Sequence, residues 1–60
     1  MTTKEIRKAL DAGHAVVLRD DPNNTICRDM FGNLVVVSLN TDQPARLATL
    51  SDKRKATIVY

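Results

Sequence analysis

The stretch TICRDMFGNLVVVSLN, Thr25 to Asn40, limits the fold more than any other part of the chain. Strand-forming runs flank Gly32-Asn33, and glycine tolerates the positive φ required at the first central position of a type II′ turn. The pattern predicts a hairpin closed by that two-residue turn, with Phe31 opposite Leu34. Alternation then sorts the side chains. Met30 with Val35, Arg28 with Val37, and Ile26 with Leu39 fall on one face, the expected core. Asp29 with Val36 and Cys27 with Ser38 fall on the other, which also receives Phe31, Leu34, Thr25 and Asn40.

The preceding segment HAVVLRD is a short β-branched run and is read as a strand. It leads into RDDPNNT, whose clustered carboxylates and carboxamides raise the question of a cation site. A calcium loop needs alternating oxygen ligands over about twelve residues, a glycine at the sharp bend and a closing glutamate. Those features are missing, whereas each residue has a turn role: Pro22 presets φ, and Asp and Asn side chains bond nearby amides. Asp20 to Asn24 is therefore expected to be a five-residue hairpin loop. Arg19 would then face Thr25, bringing Val16 and Leu18 to the same core face.

At the N-terminus, Thr2 with Glu5 three positions later has capping-box spacing, in which each side chain satisfies the other's backbone amide. Ile6, Ala9 and Leu10 follow as a narrow apolar stripe, and Gly13 suits the left-handed residue that ends a helix. The last third is harder to read. Pro44 would be acceptable at a helix start, but Leu47 and Leu50 do not continue as a stripe beyond Ser51. A hairpin is preferred, with strands at Leu47–Leu50 and Ala56–Tyr60 around the loop SDKRK. The expectation is an α+β fold over residues 1–60 as a single small domain. An N-terminal helix packs on four to five antiparallel strands, a meander that could curl toward a barrel.

Sixty residues allow only a small core, typically leaving about 3–5 kcal/mol of net stability. Hydrophobic residues at 43% and charged residues at 27% are ordinary for a folded domain. The chain shows neither a secretory signal nor an apolar run long enough for a bilayer, so a cytoplasmic protein without a membrane role is expected. Its one cysteine, Cys27, agrees with that compartment.

Catalytic chemistry finds little support. In the expected register His14 and Cys27 point to opposite sides, which separates the only candidate nucleophile–base pair. Adjacent Asp20 and Asp21 diverge, and two glycines cannot build a phosphate loop. No cofactor or metal is implied, and the chain is read as a non-enzyme. One helix can cover only one side of the sheet, so a sheet face or edge is expected to bind a protein partner or a second copy, as in small accessory or inhibitory proteins. Phe31, Leu34, Val36 and Cys27 are the expected contact residues. The alternative is nucleic-acid binding by Arg46, Lys53, Arg54 and Lys55, since residues 46–60 carry four basic and one acidic group.

Overall fold

In the computed structural model, residues 1–39 and 43–59 are described. The elements run α1 (Thr3–Asp11), β1 (Ala15–Leu18), β2 (Asp21–Arg28), β3 (Leu34–Ser38), β4 (Arg46–Leu47), α2 (Leu50–Lys55) and β5 (Ala56–Val59). Among the described residues the strands form one five-stranded antiparallel sheet in the order β4-β3-β2-β1-β5. The sheet is open, so the α+β class holds and barrel closure does not occur.

Helix α1 begins and ends with the devices its sequence carries. Glu5 N donates to Thr2 Oγ1 at 3.2 Å, and Thr2 N donates to Glu5 Oε1 at 2.9 Å, which completes the capping box. This bonding holds the Glu5 carboxyl below its ordinary pKa. At the other end, the amides of Gly13 and His14 donate to the carbonyls of Leu10 and Ala9 at 3.0 Å each, with Gly13 at φ +84°. This is a Schellman closure, and it turns the chain directly into β1. The apolar stripe lands as expected, with Ile6 and Ala9 buried against Val16, Leu18, Ile26, Leu34, Val36 and Ala56.

The hairpin between β2 and β3 departs from the expected turn. Asp29 N donates to Asn33 O at 2.9 Å and Gly32 N donates to Asp29 O at 3.1 Å, so residues 30–32 form a three-residue loop with Gly32 at φ +83°. Asp29 Oδ1 accepts from the amides of Phe31 and Asn33, both at 2.9 Å, and so competes successfully with the two-residue turn. The consequence is a new register. Ile26 pairs with Val36, Cys27 with Val35 and Arg28 with Leu34. This lies three residues from the expected pairing, and an odd shift exchanges the faces. Leu34 and Val36 go under α1, whereas Val35 and Val37 go to the other side.

The segment RDDPNNT is also corrected. The turn is only Arg19-Asp20, and β2 already begins at Asp21. Val16 pairs with Ile26 and Val17 with Thr25, followed by an irregularity that brings Leu18 to Asp21. The extra residues Pro22 to Asn24 bulge on the β1 side, where Pro22 has no amide to donate. Asp21 supports the bulge by accepting from Asn23 N at 3.3 Å and Asn24 Nδ2 at 3.0 Å. Because the register differs from expectation by two residues, Val16, Leu18 and Ile26 still share the core face.

The C-terminal hairpin does not form. SDKRK belongs to α2, and β5 pairs with β1 at the far edge of the sheet. Thr49 caps α2, with Asp52 N donating to Thr49 Oγ1 at 3.2 Å and Thr49 N donating to Asp52 Oδ2 at 2.8 Å. Arg46 grips the same carboxylate at 2.5 and 3.1 Å. These contacts hold the Asp52 carboxyl well below the usual range, Arg46 being the largest cause and Thr49 the next, against the opposing effect of burial. The expectations for Asn40 on the second face and Tyr60 at the end of the last strand lie outside the described residues.

Two predictions follow from the inverted register and from the α2 cap. Leu34→Ala should cost about 2–4 kcal/mol in urea unfolding, whereas Phe31→Ala should cost less than about 0.5 kcal/mol. Equal costs would contradict the register. Asp52→Asn should destabilise by about 1–2 kcal/mol near neutral pH, a figure kept small because Arg46 is half exposed. Since folding depresses the Asp52 pKa, its stabilisation is complete above the unfolded value of about 3.9 and is lost as pH falls below it. The gap between variant and wild type should therefore narrow on acidification below about pH 4.

Candidate functional site: the open face of the sheet

Both helices lie on one side of the sheet. Helix α1 covers the buried cluster, and α2 bridges the opposite edges on that same side, as Arg46 and Val36 share a register position and Arg46 bonds Asp52. The Met1 ammonium donates to Lys53 O at 2.7 Å, which joins the start of α1 to α2. Arg7 Nη1 donates to Gly32 O at 2.8 Å, and Arg28 pairs with Asp11, tying α1 to the β2–β3 hairpin.

The other side of the sheet has no such layer among the described residues. Leu47, Val35 and Cys27 align across β4, β3 and β2, and Ala15 and Val59 continue the line on β1 and β5. A second line runs through Val37, Thr25, Val17 and Thr57. Neither line contains a charged residue. Val17 and Val35 are buried, although they stand apart from the helix-side cluster. Leu47 remains 65% exposed, Val59 49%, and Leu39, just past β3, 65%. An antiparallel sheet facing water normally alternates apolar and polar residues, so an open face built from Val, Leu, Ala, Thr and Cys is unusual.

The expected contact residues are divided by this arrangement. Leu34 and Val36 are 5% and 4% exposed beneath α1, so in the lone chain they offer nothing to a partner. Cys27 is half-buried in the middle of the open face, where Thr25 Oγ1 lies 3.6 Å from its sulfur. Phe31 is 80% exposed beside Met30 at the hairpin tip, away from both lines. The residues that replace Leu34 and Val36 on this face are Val35, Val37 and Leu47. Alternation along LVVVS carried that signal, but only the loop length decides which parity faces out.

The four basic residues of the alternative site do not act as a free group. Arg46 is bonded to Asp52, and Lys55 lies 3.0 Å from Asp20, whose pKa is lowered chiefly by that contact. Lys53 and Arg54 sit on α2, on the helical side. Every buried side-chain nitrogen and oxygen among the described residues has a partner. The concave spaces are shallow: one of about 370 Å³ lies between α1 and β5, lined by Met1, Lys8, His14 and Ile58 among others. Among the described residues, no helix is long and apolar enough to cross a membrane.

No family model matches this chain, no curated protein matches its sequence and no solved structure matches its fold.

If Leu47 and Val59 face solvent in the lone chain, then Leu47→Lys and Val59→Lys should each change stability by less than about 0.5 kcal/mol. The pair should also reduce the fluorescence of a dye that binds exposed apolar surface. A loss of stability comparable to that of Leu34→Ala would show these side chains to be core residues.

Proposed function

We propose that this chain is a non-enzymatic protein-interaction module that binds through the uncovered face of its sheet. The observation that carries this reading is the pair of uncharged lines across the sheet on the side opposite both helices, where Leu47 and Val59 are exposed at the edges and Cys27, Thr25 and Val37 are half-buried between them. Contiguous apolar surface of this kind costs solubility when left in water, and it marks contact sites in soluble proteins. The hairpin tip adds two exposed anchors, Met30 at 90% and Phe31 at 80% exposure. They are held in place by the Asp29 carboxylate and are suited to a partner's pocket at the rim of the contact. Such a module acts by docking on a larger assembly or by masking one of its surfaces.

Nucleic-acid binding is the weaker reading. Arg46 and Lys55 are drawn into ion pairs, and the bases of a single strand would need stacking aromatics beside Lys53 and Arg54.

Capture from an extract of the source cells tests the choice. Wild type should retain a stoichiometric protein that is lost with the double variant Leu47→Lys/Val59→Lys and kept with Lys53→Glu/Arg54→Glu. The proposal falls if capture ignores the sheet-face variant, or if the charge-reversed variant alone releases the partner.

A further inference from the structure

We infer that the outer edge of β5, with the groove between β5 and α1, is a docking site for an extended acidic segment of another protein, which adds to the sheet as a sixth strand. The site is separate from the open face. It uses main-chain groups at the sheet edge and side chains on the helical side.

Strand β5 ends the sheet beside β1, whereas the opposite edge strand, β4, has only two residues. Arg19 N donates to Lys55 O at 2.7 Å in line with the β1–β5 register, so alternate residues from Lys55 onward, Thr57 and Val59, turn their main-chain groups to β1. Those of Ala56 and Ile58 point away from the sheet. Lys53 O takes the Ala56 amide. The Ile58 amide, the Ile58 carbonyl and the Ala56 carbonyl are left facing outward, with no partner among the described residues. Proteins commonly blunt such an edge with proline, lysine or a bulge, and the strand sequence ATIV carries none of these. An extended chain is the ligand whose own amides and carbonyls match this array. Paired antiparallel, one of its residues would exchange both bonds with Ile58.

Ile58 shares its register position with Val16, so its side chain, and that of the residue set opposite it, turn to the helical side. There a hollow of about 370 Å³, lined in part by Ala9, Ala12 and Ile58, offers room for an apolar side chain. A second hollow of about 540 Å³ lies between α1 and α2, where Leu50 is 65% exposed. The two meet at Met1 and Glu5, so the trough continues from Ile58 toward α2.

Charge names the occupant. Apart from the Met1 ammonium, which is bonded to Lys53 O, the charged side chains lining the trough are Lys8, Lys53 and Arg54 against Glu5. None of these three cations belongs to an ion pair among the described residues. Edge-to-edge pairing with a second copy about a two-fold axis would set them against their own kind, whereas an acidic strand meets them with opposite charge. In an antiparallel sixth strand, the position two places after the residue facing Ile58 lies opposite Ala56, at the end nearest α2. The expected signature is therefore an apolar residue followed two places later by Asp or Glu.

Selection of a phage-displayed library of random twelve-residue peptides on the full chain should enrich that signature. At saturation, a synthetic copy of the enriched peptide should slow exchange of the Ile58 amide proton about tenfold or more and leave Thr57, already in the ladder, little changed. Ile58→Pro removes the outward amide without touching the bonds to β1 and should weaken the peptide about tenfold or more. Ile58→Ala keeps the amide and should bind at least about threefold tighter than Ile58→Pro. Should Ile58→Pro fail to fold by far-UV circular dichroism, Lys8→Glu/Arg54→Glu serves in its place and should weaken the acidic peptide about tenfold. Leu47→Lys, at the far edge on the open face, should leave binding unchanged.

No enrichment, enrichment of basic sequences, or a peptide that leaves Ile58 exchange unaltered overturns the site. Protection of Ile58 that rises with the concentration of the chain alone would put a second copy on this edge and overturns the foreign strand. None of these outcomes bears on the open face, whose own test is capture through Leu47 and Val59.

Discussion

One carboxylate decides which half of the hydrophobic residues this protein hides. Asp29 accepts from the amides of Phe31 and Asn33, and with Gly32 at positive φ it closes a three-residue loop. That loop sets the pairing of β2 with β3. Side chains along a strand alternate between faces, so an odd change in loop length would send Val35 and Val37 beneath α1 and push Leu34 and Val36 out. Everything else is built on this choice. The stripe of α1 meets Leu34 and Val36 because they are presented to it, and the open face is made of whatever is left.

Much of the fold was legible because its signals are local. The capping box at Thr2, the glycine stop at Gly13 and the alternating run after it place α1 and β1 from short windows of sequence. The existence of the Thr25–Leu39 hairpin was equally plain. Its register was not, since Gly32-Asn33 suits a two-residue turn and only the reach of the Asp29 side chain favours the longer loop. Helix α2 shows a different gap. Thr49 and Asp52 stand at the same spacing as Thr2 and Glu5, but six residues are too few to display an apolar stripe. The helix is held instead by its cap, by Arg46 and by the Met1 ammonium, the last of which is distant in sequence. Strand β5 was foreseen near its true bounds, though its partner β1 lies some forty positions earlier and no local pattern names it.

The candidate site was half legible for the same reason. That one helical layer cannot cover two faces follows from element counting, and it holds even though the sequence reading missed the second helix. Both helices fall on the same side because α2 must cross from β4 to β5, and Arg46, on the helix-side parity of β4, draws Asp52 there. Which residues populate the bare side could not be had without the register. Leu34 and Val36 were assigned to it by the two-residue turn, whereas Cys27 reaches it in either pairing, because Ile26 is drawn into the core with Val16 and Leu18 from the β1 side.

Charge follows the same division and gives it physical sense. Apart from Arg19 in the turn after β1, lysines and arginines stand on α1 and α2 or pair with acids: Lys55 with Asp20, Arg28 with Asp11, Arg46 with Asp52. The exposed pairs, Lys55 with Asp20 and Arg28 with Asp11, add little stability. Their effect is to keep the helical side hydrated while the strands opposite keep Val17, Val35, Val37 and Leu47. At the exposed positions Leu47 and Val59 a protein that needed only its own core could carry Thr, Lys or Glu at almost no cost, since neither belongs to the helix-side cluster. The residues there are instead uncharged, and they continue across all five strands to Leu47 at one edge and Val59 at the other. That surface thus joins a buried centre at Val17 and Val35 to exposed apolar edges at Leu47 and Val59.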